Sequence, residues 1–134
     1  VIDFLDPNTW PAPPETGRIW LNVDEGIYAV VDMIDYAWAL QWAWSVTFDK
    51  HGRKAYATRS TRLSGRAGPQ TRLFLHKEIL HRAHVIQPSP RHTIGDHRDG
   101  ESLNCRRENL RWATAAENRA NYYGAAAAVQ EAML

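Results

Sequence analysis

Apolar positions change their spacing several times along the chain, and each change predicts an element. The first twenty residues, VIDFLDPNTWPAPPETGRIW, carry four prolines and no sustained period. They predict an extended arm, taken to residue 27, that packs on the body through Trp10 and Trp20. IYAVVD at 27–32 is a run of β-formers short enough for a buried strand, and DMIDYAWALQW then takes helical spacing with Asp32 placed to cap it. WAWSVTF alternates, which predicts a strand with Trp42, Trp44, Val46 and Phe48 on one face and the tryptophans in the core. DKHG at 49–52 makes a turn, KAYATRS returns as the partner strand, and SGRAGPQ at 64–70 reads as a loop. TRLFL at 71–75 predicts another strand, followed by a helix over HKEILHRAH with Ile79, Leu80 and Ala83 facing inward.

The pattern in the next segment is more specific. HTIGDH at 92–97 predicts a short strand entering a turn made by RDGES, and NLRWAT at 109–114 an antiparallel partner. Thr114 and Glu117 have the spacing of a capping box, so a helix starts at 115 and carries Asn118 about one turn in. Gly124 would end or kink it, with AAAAVQEAML as a terminal helix. The unit is a hairpin followed by a helix, and the chain as a whole reads as α+β: a small N-terminal antiparallel sheet, short helices and this unit. Residues 28–134 are expected to form a single domain.

Composition narrows the class. With 134 residues and 44% apolar content the chain can bury a modest core. No apolar run approaches the ~20 residues of a membrane span, and nothing resembles a signal peptide. The single cysteine, Cys105, excludes an internal disulfide and fits a reducing cytoplasm. It also argues against a structural zinc, which normally takes several thiolates. HKEILH at 76–81 fails as a zinc-protease box, because its histidines are five apart and Lys77 follows the first. His81 and His84 share a helical face and could join His92 or Cys105 around a metal, but no closed tetrahedral set is evident.

Charge is unevenly spread. Residues 1–49 hold one arginine against eight acids (1 − 8 = −7), and residues 50–121 hold fifteen Lys and Arg against six acids (15 − 6 = +9). A basic block dominated by arginine suggests a face for phosphates, with nucleic acid the leading polyanion.

GDHRDGESLNCRRENLRWATAAENRAN at 95–121 combines these signals. Asp96 and Asn118 are oxygen donors from the hairpin and the helix, a pairing that suits Mg²⁺ or Mn²⁺ better than zinc. Adjacent strand residues point to opposite faces, so Asp96 and His97 need a strand end or twist to converge. His97 beside such a cation can accept a proton from water, and the Asn109 side-chain carbonyl can hold the imidazole in the useful tautomer.

The stretch closely resembles the HNH endonucleases, in the branch common in phages and mobile introns. The resemblance rests on the Asp-His pair, the Asn within RRENLRWAT and the downstream Asn in a helix. It extends back through LFLHKEIL to about residue 28. It implies a ββα-metal fold (the His-Me finger), with its core at about 92–123, that cuts DNA using one divalent cation. By position it implies that Asp96 and Asn118 are the metal ligands, His97 the general base and Asn109 the residue that orients it. Cys105 stands where a polar residue is expected, and reads as a loop filler rather than a nucleophile.

The expected function is a metal-dependent endonuclease for double-stranded DNA, leaving 5′-phosphate and 3′-hydroxyl ends. Arg98, Arg106, Arg107, Arg111 and Arg119 are the candidates for gripping the phosphate backbone. An unperturbed imidazole at His97 would make activity fall below about pH 6.5. The main alternative is an HNH-fold module that grips DNA without cutting it. A third class is an interaction protein whose acidic, Trp-rich N-terminal half docks a partner.

Overall fold

The computed structural model describes residues 16–22, 26–66 and 70–122. The expectations for Trp10, for the 67–69 tip and for the helix beyond Gly124 lie outside the described residues. Among the described residues, seven strands and three α-helices follow one another: β1 (Thr16–Asn22), β2 (Ile27–Asp32), α1 (Met33–Ala39), β3 (Ser45–Phe48), β4 (Ala55–Arg66), β5 (Gln70–Phe74), α2 (Leu75–Arg82), β6 (Ile94–His97), β7 (Leu110–Ala113) and α3 (Ala115–Ala120). The strands form three antiparallel sheets, β1-β2, β3-β4-β5 and β6-β7.

Residues 16–22 are therefore not an arm. They are a full strand against β2, and Ile19 and Leu21 of β1 enter the core beside Ala29 and Val31 of β2. One face of this hairpin is apolar, and burying it on the body overrides the weak local pattern of the segment.

The core continues through Trp44, Leu75, Ile79, Leu80, Leu110 and Trp112. In α2, Leu75, Ile79 and Leu80 sit on one face at helical spacing, which directs the helix against the rest of the core. Ala83, expected to face inward, is the half-buried residue at its end.

Around the tryptophans the alternation misleads. The strand starts only at Ser45, because the Trp44 indole N–H turns back to donate to the carbonyl of Ala39 at 2.8 Å. Trp42 and Trp38 lie half-buried against Trp44. Phe48, expected inside with them, is 59% exposed at the end of an edge strand. β4 runs on to Arg66, into the segment expected to be a loop.

Asp32 stands at the N-cap of α1 but makes no capping bond. Its carboxylate is taken by Arg106 Nε at 3.0 Å and by the backbone N–H of Arg107 at 2.8 Å. One turn on, Asp35 is fully buried and accepts from Arg82 Nε at 3.0 Å and from Arg107 Nε and Nη2 at 2.9 and 2.8 Å. A parallel bridge reinforces this seam, with Val30 N–H donating to the Leu103 carbonyl and Cys105 N–H to the Val30 carbonyl, both at 2.8 Å. Part of the charge asymmetry is thus an internal clasp: acids of the N-terminal half hold arginines of the loop that precedes β7.

Candidate active site

β6 and β7 pair in a register that places Asp96 opposite Arg111 and His97 opposite Leu110. Strand alternation then sends the acid and the histidine to different neighbours. Asp96, 4% exposed, accepts at Oδ2 from Arg111 Nε at 2.8 Å and from Asn121 Nδ2 at 3.1 Å. Its Oδ1 has no protein donor among the described residues. Asn121 also donates to the carbonyls of His97 and Arg98, at 2.9 and 3.1 Å, and so ties the end of α3 to the end of β6.

α3 is short, and its start is set by Thr114, whose hydroxyl accepts from the Glu117 N–H while Glu117 Oε1 accepts from the Thr114 N–H. This is the expected capping box, and it starts the helix where it can present an amide to the hairpin. Asn118, three residues before Asn121 and on the same helical face, is half-buried and has no side-chain partner among the described residues. It lines a cavity with His76, Thr93, Ile94 and Gly95, beside the start of β6, whereas the residue of α3 that bonds Asp96 is Asn121.

His97 is 5% exposed and faces the other way, into a ring cluster. Its imidazole lies 4.5 Å from that of His76 and 6.0 Å from the ring of Tyr56, centroid to centroid. Nε2 is 3.9 Å from Cys105 Sγ, and Nδ1 has no protein partner among the described residues. Burial, then the neighbouring His76 and Lys54, hold His97 well below the ordinary value of 6.5. His76 is pushed down to about 4 by burial and by Lys77, against a backbone hydrogen bond to Gly95. Gly95 is what lets this imidazole in, since a Cβ there would stand 2.6 Å from His76 Cδ2. Burial pushes the Cys105 thiol far up, so it is no thiolate nucleophile.

Asn109 is 1% exposed but does not take the role expected of it. Its side-chain oxygen accepts from the Asp99 N–H at 3.0 Å, while Nδ2 donates to Asp99 Oδ1 at 2.9 Å and to the Asn104 carbonyl at 2.8 Å. Asn104 Nδ2 closes the set on Asp99 Oδ2 at 2.9 Å. The polar plug Asp99–Asn104–Asn109 shapes the loop after His97, and the Asn109 carbonyl accepts from the Arg98 N–H at 2.7 Å. Asn109 thus braces the backbone beyond the histidine rather than the imidazole itself.

The five arginines divide. Arg106 is 4% exposed and bound to Asp32, and Arg107 is bound to Asp35, so neither presents its charge as a DNA-gripping face would require. The acids of the N-terminal half hold both guanidiniums, and a phosphate would have to compete with them. Arg111 holds Asp96. Arg98 and Arg119 are exposed, with no ion-pair partner among the described residues. Three contributors went unnoticed in the sequence: Asn121, His76 and Asp99. Of these Asn121 carried a usable signal, its position one helical turn beyond Asn118.

The residues that could offer oxygens to a divalent cation are Asp96 and Asn118. Asp96 has one oxygen anchored and one without a donor, Asn118 has an uncommitted amide, and both offer hard oxygen. Among the described residues no three His, Cys, Asp or Glu side chains cluster as a metal site, so such an ion would share its coordination with water and phosphate. No helix of the described residues is long and apolar enough to cross a membrane.

No curated protein and no solved structure matches the chain. One family model does, that described as HNH endonuclease, over residues 88–120. That span takes in β6, its turn, β7 and α3, and with them Asp96, His97, Asn109 and Asn118. By that match, residues 88–120 of this chain are similar to the HNH endonuclease family.

Proposed function

We propose that this site hydrolyses phosphodiester bonds in double-stranded DNA as a metal-dependent endonuclease on a ββα-metal core. The observation that supports the proposal is a half-committed carboxylate, Asp96, next in sequence to a buried histidine on β6, with the helix that bears the uncommitted amide of Asn118 tied to that strand through Asn121. Asp96 and Asn118 would hold one Mg²⁺ or Mn²⁺. When bound, that ion supplies positive charge to the scissile phosphate and the departing 3′ oxygen.

The chain's own groups do the rest. His97, kept neutral by burial, takes the proton from the attacking water. With its hydrogen on Nε2, directed at Cys105 Sγ, the ring offers the lone pair of Nδ1, the nitrogen with no protein partner among the described residues. Arg111 and Asn121 hold Asp96 through Oδ2, so that Oδ1 would be the oxygen left for the cation. Asn109, through Asp99, keeps the loop after His97 in shape. Arg98 and Arg119 contact phosphates on either side of the cut. Water attacking the phosphorus in line with the 3′ oxygen leaves 5′-phosphate and 3′-hydroxyl ends.

Supercoiled plasmid incubated with the protein and Mg²⁺ tests this. Nicked or linear product that ligase reseals is expected, and its loss on adding chelator. Products that ligase cannot join, or cutting indifferent to chelator, would contradict the proposal. The second reading is a module that binds DNA without cutting it. Arg111 favours that one, because its charge already offsets Asp96; it predicts retained binding and intact plasmid.

A further inference from the structure

Asn118 and His76 border a cavity of about 330 Å³ that has one aromatic side and is otherwise lined by Thr47, Asp49, Lys77 and the start of β6. Phe48 from the end of β3, Tyr56 from β4 and Phe74 from the end of β5 supply the aromatic side. The rings of Tyr56, Phe74 and His76 lie 5.8–6.0 Å from one another. His76 in turn packs on His97 at 4.5 Å, so the aromatic lining is continuous with the proposed base. Phe48 stands apart from this packing: its ring is 59% exposed on the rim, where the core gains little from it. Lys77 lies on the same lining, half-buried, with no ion-pair partner among the described residues.

We propose that this cavity receives one nucleobase from the strand being cut, so that the preferred substrate is DNA in which a nucleotide beside the scissile phosphate is unpaired. This rests on the nuclease reading and deepens it. Three properties select a base. One side of the cavity is made of flat π-faces, which stack on any of the four bases. The volume is near the lower end of the ~300–1,000 Å³ of ligand pockets, which suits one base with its sugar and not a base pair. Asn118 belongs both to the cavity and to the proposed cation site, so a nucleotide whose phosphate sits on the cation has its base within reach of the wall.

A base inside a duplex is stacked above and below and cannot enter a concave pocket without leaving the stack. A bulge, mismatch or flap has already met part of that cost. Such DNA is therefore favoured over a matched duplex. Lys77 offers an ammonium to the phosphate or to a base carbonyl at the same entrance.

The test is binding of the full chain, in chelator so that nothing is cut, to three end-labelled duplexes. One is fully matched, one carries a single extrahelical base, and one carries an abasic nucleotide at that place. The abasic duplex keeps the flexibility of the bulge and removes only the base. The base-bearing bulge should bind about 5- to 150-fold tighter than the abasic one, the range for stacking one base on aromatic side chains. Phe48→Ala, on an exposed side chain, should shrink that ratio to within about twofold and leave binding to the abasic duplex unchanged. Equal affinity for the base-bearing and abasic bulges overturns the proposal, as does a Phe48→Ala loss shared equally by all three duplexes. Mg²⁺-dependent cutting separates this from the nuclease reading. Base-dependent binding without any cutting keeps the pocket and sinks the nuclease, whereas cutting without base dependence sinks the pocket alone.

Discussion

His97 combines two properties that an exposed imidazole would not have: it is neutral, and it is fixed. Burial disfavours its charged form, so its proton-accepting form persists below the ordinary value of 6.5. The sequence alone pointed to a fall in activity below about pH 6.5, since it assumed an unperturbed ring. With the shift, single-turnover cleavage should stay level from pH 8 down through 6.5 and decline only in more acid solution; an inflection at or above 6.5 would show His97 to be solvated. The same burial has a thermodynamic consequence at His76. The unfolded chain takes up a proton near 6.5 and the folded chain only near 4, so stability falls as pH drops through that window. At about 1.4 kcal/mol per pH unit the loss from His76 alone approaches roughly 3 kcal/mol. His76→Gln should flatten urea midpoints between pH 6.5 and 4, while an unchanged slope would place the acid sensitivity elsewhere. Gly95→Ala puts a Cβ 2.6 Å from His76 Cδ2 and must push that ring against His97; overpacking of this kind costs about 1–3 kcal/mol, to be read as a lower urea midpoint. At this scale the identities of Asp96 and His97 were legible, because the spacing of the motif carries them. The partner of Asn109 was not: an amide can hold an imidazole or a turn equally well, and Asp99 lies nearer along the folded chain.

Among the elements, those read correctly had two independent signals each. α3 has apolar and polar spacing plus the Thr114–Glu117 box, and β6 with β7 has strand-forming runs on both sides of a glycine turn. Gly100 in that turn has φ +77, a conformation glycine adopts without strain. β3 was extended too far because Trp42 and Trp44 mimic alternation, although the Trp44 indole bonds back to the end of α1. β1 was missed because a strand that is stabilised by its partner need not show strong propensity of its own. The acidic character of the first half was legible, but its purpose emerged only with the fold, where Asp35 sits between two arginines with no exposure at all. Asp35→Ala leaves Arg82 and Arg107 facing an apolar gap. Removing one partner of a buried pair costs about 3–5 kcal/mol, and the partial exposure of both guanidiniums lowers this towards about 2–3. Urea unfolding should show a drop of that size. A change under about 0.5 kcal/mol would mean that the clasp contributes nothing to docking the N-terminal hairpin.

On the scale of the molecule, the N-terminal sheet and α1 act as a scaffold that grips the loop before β7, and the hairpin with α3 carries the proposed site. Of the five arginines considered for phosphate contact, only Arg98 and Arg119 are exposed with no ion-pair partner among the described residues. Each should lower the salt dependence of DNA binding by about 0.9 in log K against log salt when replaced by alanine. Arg106→Ala should leave that slope alone and reduce stability instead; a lowered slope for Arg106→Ala would return it to the DNA face. The central claim is that Asp96, His97 and Asn118 act on one phosphodiester. It is tested most directly by single-turnover cleavage of duplex DNA in saturating Mg²⁺ by the wild-type chain, Asp96→Ala, His97→Ala and Asn118→Ala, each first checked for folding by circular dichroism. The account predicts that His97→Ala loses about 10²–10⁴-fold, the usual contribution of a general base. The two ligand variants should lose rate in a way that higher Mg²⁺ or Mn²⁺ partly restores. Folded variants that cut at the wild-type rate would contradict it.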